Sequence, residues 1–117
     1  MSSTLIYHNP RCSKSRQALE LLTGRGIDPE VIRYLDTPPD AATLSELLKL
    51  LGINARQLMR SGEEVYRELQ LDNPGLSEAD LVQAMVDYPR LIERPIVVHN
   101  GQAVLARPPE KLLELFP

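Results

Sequence analysis

One cysteine, at position 12, is the first residue of this 117-residue chain that could do covalent chemistry. A single cysteine makes neither an internal disulfide nor a cysteine-based zinc site. In a reducing compartment it is either a small buried hydrophobe or a working thiol. The surroundings of Cys12 favour the second reading. A structural cysteine would sit within an apolar stripe, whereas Cys12 lies in a turn between Arg11 and Ser13. It follows a β-prone run and precedes a helical pattern. The unsatisfied N–H groups and positive dipole end of such a helix favour the thiolate, which is the nucleophilic form. His8, Arg11, Lys14 and Arg16 add positive potential nearby. Four residues before the thiol, His8 could orient or polarise the sulfur, or could be a strand-end histidine on the surface. His99 reads as structural or exposed. No second histidine or carboxylate stands at metal-ligand spacing, so no metal and no bound cofactor are expected.

Arginine is the second group with chemistry to offer. Ten of the thirteen basic residues are arginine, whose planar fork matches carboxylates and oxyanions. The usual fate of a single arginine is a solvated surface charge. Arg94 departs furthest from it, standing between Glu93 and a proline that opens an apolar run. Arg60 is intermediate. Arg107, at the end of a β-prone run, is the most open to a structural role.

The elements that must hold these residues can be read from the pattern. Thr4–Tyr7 is a β-prone run broken by Asn9-Pro10. Ser15, Ala18, Leu19 and Leu22 repeat at helical spacing, with Gly24 and Gly26 ending the run. Val31–Leu35 reads as a second strand, parallel to the first in a βαβ unit. Asp40 can cap a helix with stripe Leu44, Leu47, Leu48 and Leu51, closed by Gly52. Asn54 can cap a short helix, Glu63–Leu69 looks like one or two turns, and Ser77 with Asp80 resembles a capping box. In the helix that follows, Leu81, Val82, Met85 and Tyr88 are expected to face the core, with Pro89 as the stop.

Pro95–His99 and Ala103–Ala106 flank Asn100-Gly101, a strong hairpin signal. Pro108-Pro109 opens a final helix with Leu112, Leu113 and Phe116 on one face. The order is β-α-β, four helical segments, then β-β-α. That is an α/β, thioredoxin-like order in one domain spanning residues 1–117, with a helical insertion over about 40–88.

Composition sets the class. Hydrophobic residues make up 43% and charged residues 25%, as in ordinary globular proteins. A net charge of −3 and a pI near 5.4 argue against a general nucleic-acid partner. No apolar run approaches the roughly 20 residues of a membrane span, and the N-terminus lacks the features of a signal peptide. A cytoplasmic location, with no membrane contact, is expected.

Tyr7-His8-Asn9-Pro10-Arg11-Cys12-Ser13, together with Arg60 and Glu93-Arg94-Pro95-Ile96-Val97-Val98, resembles the glutaredoxin-coupled arsenate reductases. The resemblance extends to Tyr34-Leu35, Thr37-Pro38-Pro39, Gly52-Ile53, Leu58-Met59-Arg60 and Arg107-Pro108. It implies that Cys12 attacks the arsenic of arsenate, with His8 helping to hold the thiolate. It also implies that Arg60, Arg94 and Arg107 bind the oxyanion and later the arsenic–thiol intermediates. Glutathione would then attack the adduct, arsenite would leave, and glutaredoxin would reduce the mixed disulfide. Glutathione is thus the implied co-substrate, glutaredoxin the implied partner and arsenic detoxification the implied role. The fold that the resemblance implies places a cis proline beside the active thiol, so Arg94–Pro95 is expected to be cis.

Three other readings compete. The phosphatase-like arsenate reductases place an arginine six residues after the cysteine, where this chain has Ala18. Regulatory binding proteins of the same fold use a Cys-x-x-Cys switch, but position 15 is Ser15. A glutathione-dependent reductase of another electrophile would keep the thiol and change only the substrate.

Overall fold

In a computed structural model that describes residues 4–116, four strands form one sheet in the order β2-β1-β3-β4. The strands are β1 (Thr4–His8), β2 (Glu30–Arg33), β3 (Ile96–His99) and β4 (Gln102–Leu105). β1 and β2 are parallel, whereas β1–β3 and β3–β4 are antiparallel. This mixed sheet, with the α1 crossover between β1 and β2, is thioredoxin-like. Among the described residues, 4–37 and 94–116 make one compact unit, and Pro38–Glu93 make another.

In the sheet unit, α1 (Ser13–Gly24) lies on the face that holds Ile6. Side chains alternate along a strand, so Thr4, Ile6 and His8 share that face. Ile6 pairs with Val97, and Val97 with Val104, which gives an apolar row across three strands. Ala18 and Leu22 of α1 close over it, joined by Ala106, Leu112 and Leu115. Burying each large member of this cluster stabilises the fold by about 1.5–3 kcal/mol. α1 stops because Gly26 takes φ +77°, where Ile27 N–H reaches Leu22 O and Gly26 N–H reaches Thr23 O, both at 3.0 Å. The half-buried Ile27 then packs on the same cluster. Asn100 and Gly101 take φ of 49° and 77°, the conformation a tight hairpin demands.

The second unit contains α2 (Ala41–Leu51), α3 (Ala55–Leu58), α4 (Glu64–Glu68) and α5 (Glu78–Asp87). Each expected cap is made. Asp40 accepts from Thr43 N–H at 2.8 Å, and Ser77 forms its box with Asp80. Asn54 also makes a full box, with Gln57 as its return partner. The isolated antiparallel bridge Met59–Ile92 ties the residue after α3 to the C-terminal end of this unit.

Several sequence expectations need correction. The second strand runs Glu30–Arg33 and so ends two residues before Leu35; Val31 and Leu35 are 42% and 37% exposed, while Tyr34 is buried. Tyr88 is 44% exposed instead of facing the core. Pro89 forces the preceding residue out of helical geometry, to φ −131° and ψ 77°, so its side chain leaves the stripe of Leu81, Val82 and Met85. The final helix is a 3-10 helix, Pro109–Leu115. With three residues per turn its buried face is Pro109, Leu112 and Leu115, and Leu113 turns outward.

Candidate active site

β1 delivers the chain at His8 and α1 takes it up at Ser13. The residues between them form a β-turn in which Cys12 N–H donates to Asn9 O at 3.0 Å, with Pro10 at the position that suits its fixed φ. Arg11 N–H donates to the Asn9 side-chain oxygen at 3.0 Å, which closes the turn from within. Arg16 Nη1 donates to Pro10 O at 2.9 Å, so the first turn of α1 reaches back to brace the loop.

Cys12 is the N-cap residue of α1, with extended backbone at φ −95° and ψ 123°. Its carbonyl accepts from Arg16 N–H at 3.0 Å, but its side chain makes no capping hydrogen bond. The thiol is therefore not committed to the helix end, and it is partly exposed. No acidic residue lies in the first turn to oppose an anion there.

His8 is buried, at 5% exposure, with Nδ1 2.6 Å from Ser15 Oγ. The contact follows from two periodicities. His8 shares the face of Ile6 two residues earlier, and Ser15 lies one turn before Ala18 on the buried stripe of α1. Ser15 is fully buried and also accepts from Asn9 N–H at 3.0 Å. Burial first, and then the positive charges of Arg33 and Arg16, hold the His8 imidazole below its ordinary pKa, which favours the neutral ring.

Arg94 is half-buried and is followed by Pro95, the residue that leads into β3. The Arg94–Pro95 bond is cis, and so is Arg107–Pro108. Tyr7 pairs with Ile96, so the next residues out, His8 at the end of β1 and Pro95 just before β3, stand side by side at the end of the sheet from which the chain turns toward Cys12. Arg107 is exposed and donates from Nη1 to Arg94 O at 3.0 Å, tying together the residues before the two cis prolines.

Arg60 belongs to the other unit. Its Nη1 lies 3.1 Å from Glu93 Oε1 and its Nε 3.7 Å from Glu63 Oε2. Backbone bonds from Arg60 N–H to Leu91 O at 2.8 Å and from Glu93 N–H to Leu58 O at 2.9 Å hold that pair in place.

Sequence reasoning missed three of these partners. It placed Ser15 on the helix stripe but gave it no polar role, although a serine inside an apolar stripe is itself a signal. Arg33 acts on His8 because parallel pairing sets the two in register, and register is not written in a short run. Glu93 was noted only as a neighbour of Arg94, yet its carboxylate serves Arg60. Among the described residues no group of three or more histidine, cysteine or acidic side chains could hold a metal.

The model of the ArsC family matches residues 7–115. An arsenate reductase of Neisseria meningitidis is 51% identical over 113 residues, covering 96% of this chain and 97% of that one. A protein of Escherichia coli K12 whose name, uncharacterized protein YfgD, assigns no activity is 62% identical over 111 residues, covering 94% and 93%. The structure of an arsenate reductase from Vibrio cholerae superposes with a TM-score of 0.95 at 53% identity, covering 97% of this chain and 98% of that one.

Proposed function

The chain belongs to the ArsC family, and from that premise we propose that it is an arsenate reductase working through Cys12 with glutathione and glutaredoxin in the cytosol. One observation carries the proposal. The only cysteine of the chain caps a 12-residue helix with its thiol uncommitted, on a turn braced by Asn9 and Arg16. A thiol so placed can offer its sulfur to an electrophile, and the open N–H groups of the helix start can receive the anion that arrives with it.

The chemistry balances as follows. The Cys12 thiolate attacks the arsenic of arsenate, an S–As bond forms, and one oxygen leaves as water. Glutathione then attacks the Cys12 sulfur. The electron pair of the S–As bond stays with arsenic, which passes from the +5 to the +3 state and leaves as arsenite. The two sulfurs are joined as a Cys12–glutathione disulfide. With no second cysteine in the chain, the reducing equivalents that restore the thiol come from outside, from glutaredoxin and further glutathione. Arg94 and Arg60, with Arg107 through its hold on the Arg94 carbonyl, are the residues proposed to bind and retain the oxyanion.

A coupled assay tests the reading. Catalytic arsenite formation, beyond one equivalent per chain, should require arsenate, glutathione and glutaredoxin together, and should not run when thioredoxin replaces glutaredoxin. No arsenite under the full set of components would refute it. Turnover of a different oxidant under the same conditions would move the substrate and keep the thiol.

A further inference from the structure

His8 and Ser15 share one proton whose position can be worked out. Ser15 Oγ is fully buried and already accepts from Asn9 N–H at 3.0 Å. A buried hydroxyl must also place its own proton on an acceptor. Among the described residues the one acceptor within reach of that hydroxyl is His8 Nδ1, at 2.6 Å. If Nδ1 carried a proton instead, two donors would meet at Ser15 Oγ and the hydroxyl proton would be left buried and unpaired. That arrangement forfeits a hydrogen bond at a buried group. Nδ1 therefore accepts, and a neutral ring then carries its proton on Nε2.

We infer that Ser15 is a positioning residue that holds His8 in the Nε2–H tautomer, so that the remaining nitrogen of His8 offers a proton to reacting groups and cannot take one from Cys12. The inference deepens the reading above and rests on it for the identity of the reaction. It gives His8 a defined part there. Its Nε2–H can donate to a thiolate, or to an arsenate oxygen as that oxygen departs. The thiol proton must leave by another route, such as bulk water or the incoming oxyanion. The positive charges of Arg33 and Arg16 act on the ring against a second proton, in the same sense as a hydrogen-bond donor at Ser15 that makes Nδ1 the acceptor.

Nitrogen NMR of the imidazole decides this without any substrate. The chain has two histidines, so a His99→Gln variant assigns the signals of His8. At pH 8 the expected spectrum shows Nε2 protonated and Nδ1 as a hydrogen-bonded acceptor. Ser15→Ala should weaken the acceptor signature at Nδ1 and mix the two tautomers, and Ser15→Thr, which keeps the hydroxyl, should restore the single form. If Ser15→Ala does not fold, Ser15→Cys serves, since its thiol is a weaker donor and should give a partial change. A wild-type ring protonated at Nδ1 would overturn the inference. So would a His8 spectrum that folded Ser15 variants leave unchanged. Neither result depends on arsenate, so failure of the assay in the preceding section with the expected tautomer in place would count against the reaction alone.

Discussion

His8 Nδ1 lies 2.6 Å from Ser15 Oγ, joining the end of β1 to the first turn of α1 across the loop that holds Cys12. The same hydroxyl accepts from Asn9 N–H, so one buried serine fixes both the ring and the backbone that leads to the thiol. In a reading built on a two-cysteine redox switch, position 15 would hold the second thiol. Here it is a fully buried hydrogen-bonding hub.

The pH dependence of stability should show the His8 ring. Its pKa lies below the ordinary 6.5 because burial and the charges of Arg33 and Arg16 disfavour the cation. Above 6.5 the ring is neutral in folded and unfolded chains alike. As pH falls through 6.5 the unfolded chain takes up the proton first, so stability falls from there down to the folded pKa, and the loss is complete below it. Urea midpoints between pH 7.5 and 5 should therefore drop more in the wild type than in a His8→Gln variant. Equal slopes would show that the ring is not held neutral.

The arginine series separates binding from scaffolding. Lysine keeps the charge and loses the fork. Arg94→Lys should lower kcat/KM for arsenate roughly ten- to hundredfold, the equivalent of about 1.5–3 kcal/mol for a charge-assisted hydrogen bond. Arg60→Lys can retain the Glu93 ion pair, so it should lose activity while keeping its urea midpoint. Arg107→Lys removes the bond to Arg94 O and should lower both activity and the midpoint. Wild-type activity in all three variants would remove arginine from the oxyanion site.

Leu112→Ala should destabilise the chain by about 2–5 kcal/mol, because the side chain is fully buried against the Ile6–Val97 row. The variant remains useful at low temperature, where its Cys12 should be alkylated at the wild-type rate. A loss of stability well under about 1 kcal/mol would show that the 3-10 helix is not part of that core.

How much of this was legible depended on the kind of signal. Alternation on β1, the stripe of α1 and the caps at Asp40, Asn54 and Ser77 are local and periodic, and each appeared in the sequence. The cis Arg94–Pro95 bond was expected through the resemblance, whereas the second, at Arg107–Pro108, carried no such cue. The 3-10 geometry of Pro109–Leu115 was missed because Leu112, Leu113 and Phe116 suit a 3.6-residue period as well as Pro109, Leu112 and Leu115 suit a period of three. Within the site, Cys12 announced itself by its place in a turn. The partners of His8 did not, since they depend on which strand lies next to β1 and in what register.

The most direct measurement is the intact mass of the chain after incubation with arsenate and glutathione, without glutaredoxin. The expected result is a mass increase equal to one glutathione, located on Cys12, reversed by glutaredoxin and absent when arsenate is omitted. Cys12→Ser, folded to the same urea midpoint, should show no adduct and form no arsenite. An adduct that forms equally well without arsenate, or arsenite produced by the Cys12→Ser chain, would contradict the account.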